Sequence, residues 1–182
     1  MTVLVTGGLG YLGSRLIREI PDHPEFSGET IRILDNYRQP RFQSLWDLPS
    51  YADYEFVDAD IRDEGDVREA MDDVDTVFHL AAITNAPETF DIPDKTWAVN
   101  YEGALCVYEA ARDAGVSEFV NVSTCSVYGT TEEEITEGFD CDPASPYGEA
   151  KLNAEQAMLD RYKGEMGLTA LRLGTVYGWT VG

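Results

Sequence analysis

Tyr147 and Lys151 stand four residues apart, a spacing that puts two side chains on one face of a helix. A free phenol has a pKa near ~10 and is a weak base at neutral pH, but a neighbouring ammonium favours the phenolate and lowers that value. Such a pair can take a proton from a substrate hydroxyl or return one to it. Thr124, in the segment Ser123-Thr124-Cys125-Ser126-Val127-Tyr128-Gly129, offers a hydroxyl that can bond the same oxygen. Taken alone, the Tyr-x-x-x-Lys spacing also fits an exposed helical face with no chemistry. What gives it weight is position.

Those residues must be held by elements, and the sequence alternates strand and helix. Val3 to Val5, Ile31 to Leu34, Tyr54 to Val57, Thr76 to Phe78, Phe119 to Val122 and Leu168 to Leu173 read as strands. Tyr11 to Ile20 carries apolar residues at helical spacing and is stopped by Pro21 and Pro24. Asp63 to Met71 reads as a short acidic helix, and Thr96 to Ala114 as a long one stopped by Gly115. Ser145-Pro146 supplies an N-cap and a proline at the first helical position, opening a helix to about Lys163, with Gly167 beyond it. This alternation predicts an α/β fold, a doubly wound parallel sheet covered on both faces. Ligands in such sheets lie at the carboxyl ends of the strands, where Thr124 falls.

The first strand runs into Thr6-Gly7-Gly8-Leu9-Gly10-Tyr11-Leu12-Gly13 and then a helix. Its glycines satisfy both Gly8-x-Gly10-x-x-Gly13 and Gly7-x-x-Gly10-x-x-Gly13. Without side chains the backbone can turn sharply and approach a pyrophosphate facing the free N–H groups of the helix. Asp35, 22 residues after Gly13, ends the second strand, where a carboxylate binds the adenosine ribose diol and repels a 2′-phosphate. That favours NAD over NADP, although Arg38 and Arg41 lie close by. A tight turn with a capping aspartate would account for part of the pattern only.

The 34 acidic and 13 basic residues of the 182-residue chain give a net charge of −21. Nucleic acid is disfavoured as a partner, since phosphate contacts need clustered cations. So much acid and only three lysines suit either a protein kept soluble at high salt or an ordinary solvated acidic surface. Cys106, Cys125 and Cys141 are widely spaced with no C-x-x-C pair, so neither a disulfide framework nor a zinc or other metal site is expected, and a reducing cytoplasm is the default. No window approaches the ~20 apolar residues of a membrane helix, and the N-terminus lacks the basic start of a signal peptide. Glu132-Glu133-Glu134 reads as a solvated loop face.

Taken together the motifs resemble an extended short-chain dehydrogenase/reductase of the NAD-dependent sugar epimerase/dehydratase family, in the manner of UDP-glucose 4-epimerases. The matching pieces are Thr6-Gly7-Gly8-x-Gly10-Tyr11-x-Gly13, Leu34-Asp35-Asn36, Asp60-Ile61-Arg62, His79-Leu80-Ala81-Ala82, Asn100-x-x-Gly103, Ser123-Thr124 with Val127-Tyr128-Gly129, Tyr147-Gly148-x-x-Lys151, and Leu171-Arg172 leading to Val176-Tyr177-Gly178. The resemblance implies NAD as cofactor, with Gly7, Gly10, Tyr11 and Leu12 at the pyrophosphate and Asp35 and Asn36 at the adenosine ribose. It implies Asp60 and Ile61 beside the adenine, and Leu80, Ala81, Ala82 and Ser123 along the cofactor, supported by Asn100. Thr124, Tyr147 and Lys151 would be catalytic, Lys151 also holding the nicotinamide ribose, and Tyr177 would pass the nicotinamide. A nucleotide sugar is the implied substrate, epimerisation the leading reaction, and a homodimer through the helices of Asn100 and Tyr147 the implied assembly.

Two departures bear on this. Family 4,6-dehydratases place an Asp-Glu pair straight after the threonine, whereas this chain has Cys125 and Ser126, which disfavours dehydration. Trp179 stands where the family usually has proline. The family also continues well beyond the sixth strand, so residues 1–182 are expected to form the NAD-binding domain of a chain cut before its substrate lobe. Decarboxylation, one-way dehydrogenation and NAD binding without catalysis remain alternatives.

Overall fold

The computed structural model describes residues 1–39 and 41–178; the expectation placed on Trp179 lies outside them. Six parallel strands form one sheet: β1 (Thr2–Thr6), β2 (Thr30–Asp35), β3 (Asp53–Asp58), β4 (Val74–His79), β5 (Glu118–Thr124) and β6 (Gly167–Leu173). Their order is β3-β2-β1-β4-β5-β6. The order reverses between β1 and β4, and that switch point opens the crevice in which doubly wound sheets bind ligands.

Side-chain alternation along β1 explains why both faces are covered. Val3 and Val5 point to one side with Ile31 and Ile33 of β2, where Leu9, Ile17 and Ile20 complete a core under α1 (Tyr11–Glu19). Leu4 points to the other side and joins Leu34, Val77 and Phe119 beneath α2 (Glu64–Ala70), α5 (Ala104–Ala114) and α6 (Pro146–Arg161). The register Val3↔Ile31 and Val5↔Ile33 keeps like with like, as a period of two requires. Ser145 caps α6 as the sequence predicts, its Oγ accepting from Gly148 N–H at 3.1 Å with Pro146 at the first position.

The long helix expected over Thr96–Ala114 and stopped by Gly115 is present but not regular. After a short α3 (Ala86–Thr89), the chain is helical from α4 (Pro93–Trp97) through a six-residue π-helical stretch, Ala98–Gly103, into α5, which Gly115 caps. Asn100, fully buried, accepts from Ile83 N–H at 2.7 Å and donates to Ile83 O at 2.9 Å. The widened turn lets that amide reach the β4 loop, and such insertions recur at functional sites.

Candidate active site

A cleft of about 630 Å³ runs across the carboxyl ends of β1, β2, β4 and β5. Gly7, Gly10, Tyr11, Leu12, Asp35, Asn36, Asp60, Ile61, Leu80, Ala81, Ala82, Ser123, Thr124, Tyr147 and Lys151 all line it, so the structure brings together fifteen of the seventeen residues singled out in the sequence. Asn100 is not in the wall; it braces the wall from behind through Ile83. Tyr177 is not in the wall either: its side chain is 89% exposed, while Leu173, Gly174 and Val176 of the same segment face the cleft. Tyr11 fixes that segment, its hydroxyl donating to Gly178 O at 2.9 Å and accepting from Gly178 N–H at 3.0 Å.

The glycine turn is shaped for close approach. Gly7 has φ +69°, and a Cβ there would stand 2.7 Å from the Ala81 backbone; one at Gly13 would stand 2.3 Å from Gly7 O. Gly10 caps α1 without any side-chain bond, and no acid occupies the first turn. The free N–H groups of that turn therefore face the cleft with no competing anion, which suits a pyrophosphate.

At the adenosine end, Asp35 accepts from Leu9 N–H at 3.1 Å through Oδ2 and from Tyr37 N–H at 2.9 Å through Oδ1. Each oxygen keeps a second lone pair for a ribose diol. Burial pushes the Asp35 carboxyl up, and the backbone donors pull it back. Asp60 is gripped by Arg62 (Nε to Oδ1 2.8 Å, Nη2 to Oδ2 2.8 Å) and by Asn36 Nδ2 at 2.9 Å. The Arg62 guanidinium holds its pKa well below the carboxylate range. These donors and acceptors fit a dinucleotide.

At the other end, α6 carries Tyr147 and Lys151 one turn apart, and β5 ends at Thr124. Thr124 Oγ1 accepts from Ser126 N–H at 3.1 Å and donates to Ser126 Oγ at 3.1 Å. Lys151 is 2% exposed, and among the described residues no carboxylate lies within ion-pair distance of it. Burial lowers it to about 8, while the charge of Glu155 pulls the other way. Glu155 is committed elsewhere, accepting from Ser123 Oγ at 3.0 Å and from Arg172 Nε at 3.0 and 3.1 Å. The Ser123 hydroxyl is thus engaged by Glu155.

The expectation that Lys151 lowers the Tyr147 phenol is also corrected. Burial acts first and raises it, with the Thr124 hydroxyl pulling back, and the lysine is not among the causes. Desolvation disfavours the charged phenolate.

Sequence reasoning missed His79. It is fully buried, with Nδ1 2.8 Å from Thr6 Oγ1, which also accepts from Ala81 N–H at 3.3 Å. Burial and the Lys151 charge lower its pKa to about 3, so it stays neutral. The residue sits in the His79-Leu80-Ala81-Ala82 motif, and a buried histidine ending a strand was the available signal.

The switch-point crevice, the uncapped glycine turn and the ribose acid define a dinucleotide-binding Rossmann domain. The chain belongs to the NAD dependent epimerase/dehydratase family, whose model matches residues 3–180. It is 34% identical to the UDP-glucose 4-epimerase of Bacillus subtilis over 88% of this chain and 48% of that protein. It is 32% identical to the dTDP-D-glucose 4,6-dehydratase of Mus musculus, over 97% of this chain and 50% of the other. The solved structure of UDP-glucose-4-epimerase from Stenotrophomonas maltophila with bound NAD and formylated UDP-arabinopyranose superposes with TM-score 0.85 at 30% identity, over 94% of this chain and 52% of that one. The chain therefore spans about half the length of the relatives it matches. Among the described residues no helix is long and apolar enough to cross a membrane.

Proposed function

We propose that the chain is the dinucleotide-binding part of an NAD-dependent nucleotide-sugar epimerase, with Thr124, Tyr147 and Lys151 as its catalytic residues. The observation that carries the choice of epimerase over dehydratase is the fate of the two residues after Thr124. Cys125 Sγ donates to Arg172 O at 3.1 Å, on the β6 side, and Ser126 is tied to Thr124. Neither lines the cleft, and neither is the acid–base pair that expelling water from a sugar requires.

When bound, NAD would supply a hydride acceptor and donor. The chain does the rest. Asp35 holds the ribose, Gly7 and Gly10 admit the pyrophosphate, and Asn100 keeps the Ala81–Ile83 shelf in place. Thr124 Oγ1 bonds the sugar oxygen while Tyr147 Oη takes its proton, and Lys151, on the same helix face, would hold the nicotinamide ribose. After the sugar has presented its other face, Tyr147 returns the proton.

Tyr147→Phe in the protein as encoded, with NAD binding retained, is expected to lower turnover of a nucleotide sugar by roughly 10²-fold or more. Near-native turnover would refute the assignment. The product should be an epimer without net NADH; released carbon dioxide or stoichiometric NADH would replace epimerisation with decarboxylation or dehydrogenation.

A further inference from the structure

Three arginines, Arg38, Arg41 and Arg62, face the cleft, and carboxylates hold two of them. Arg62 is paired with Asp60. Arg38 is paired across the fold with Glu88 of α3, its Nη2 donating to Glu88 Oε1, although Glu88 lies 50 residues on and does not itself line the cleft. The turn after Asp35 aims Arg38: Tyr37 has φ +53°, its N–H bonds Asp35, and Arg38 N–H donates to Asn36 Oδ1 at 3.1 Å. The guanidinium therefore starts three residues from the ribose acid and is drawn off toward α3.

That geometry bears on cofactor choice. A phosphate on the adenosine 2′ oxygen would meet Asp35, and a nearby arginine can offset that repulsion by a bidentate bond. Of the two guanidiniums that follow Asp35 and face the cleft, that of Arg38 is the nearer in sequence, and its Nη2 is engaged by Glu88. We propose that Glu88 is a positioning residue for cofactor selection, withholding Arg38 from a 2′-phosphate so that NADP is rejected by a sequestered arginine as well as by the Asp35 charge. The proposal rests on the reading that Asp35 faces the adenosine ribose.

The test is calorimetric titration with NAD and with NADP of the native chain, Glu88→Gln, Arg38→Ala and the double variant. Glutamine keeps the shape of Glu88, which is partly exposed, and thermal melting checks that each variant is folded. Glu88→Gln is expected to tighten NADP on the order of fivefold, the scale of one partly exposed ion pair, with NAD changed less than twofold. The gain should vanish in the double variant and shrink as salt rises. Arg41 and Lys95, which also face the cleft, are common to all four proteins and cancel. No gain, an equal gain for both cofactors, or a gain that survives loss of Arg38 would overturn the proposal. Asp35→Asn separates the two layers. If it leaves the NAD-to-NADP ratio unchanged, the ribose reading itself fails; if it moves the ratio while Glu88→Gln does not, only the role of Glu88 fails.

Discussion

Lys151→Met should make the protein more stable at neutral pH, because the native side chain is an ammonium buried almost completely with, among the described residues, no carboxylate in ion-pair contact. Its pKa falls from 10.5 to about 8 on folding. At roughly 1.4 kcal/mol per pH unit, that is a cost of about 3 kcal/mol, an upper bound since buried groups relax. The sign follows from proton counting. Between about pH 8 and 10.5 the unfolded chain keeps the lysine proton that the folded chain has lost, so native stability rises with pH across that window. Below about 8 both states are protonated and the full cost is present. Methionine is one atom shorter, uncharged and adaptable, so the variant lacks this dependence. Urea denaturation of both proteins from about pH 7 to about pH 10 should show the variant ahead by up to about 3 kcal/mol at the lower end and the two converging at the upper. Parallel curves over the whole range would refute the view that desolvation of Lys151 is a cost the fold carries. A less stable variant at neutral pH would refute it as well.

Two further substitutions probe the frame of the cleft. Asn100→Ala should cost about 2–4 kcal/mol, because it strands the buried N–H and C=O of Ile83; hydrogen exchange at Ile83 should accelerate with the loss seen in denaturant melts. Gly13→Ala places a methyl 2.3 Å from Gly7 O, backbone against backbone. It should destabilise by about 3 kcal/mol or more and weaken NAD binding in the same titration.

All six strands and the cap of α6 were legible because period-two alternation, a Ser-Pro start and glycine punctuation are local signals. The cleft was legible for a related reason: the glycine turn, Asp35 and the Tyr147–Lys151 pair each declare a requirement in a few residues. What sequence could not show is long-range. Nothing around Thr96–Ala114 announces that Asn100 will satisfy Ile83, so an apparently regular helix hid its π-helical turn. The Arg38–Glu88 pair joins a loop to a helix 50 residues away, and the direction of Tyr177 depends on how Tyr11 captures Gly178. The buried state of Lys151 was invisible too, since a Tyr-x-x-x-Lys spacing reads the same on an exposed face. That is why the phenol was expected to fall and instead rises.

The unusual turn at Ala98–Gly103 has a mechanical consequence. Ile61 forms part of the wall beside Asp60, and a Cβ on residue 103 would meet its Cδ1 at 2.8 Å and its Cγ1 at 2.9 Å. Gly103 therefore acts as a caliper: it lets the isoleucine sit back and sets the width of the cleft at that wall. Even one added methyl there would narrow the cleft from behind, without touching any atom that a bound molecule meets.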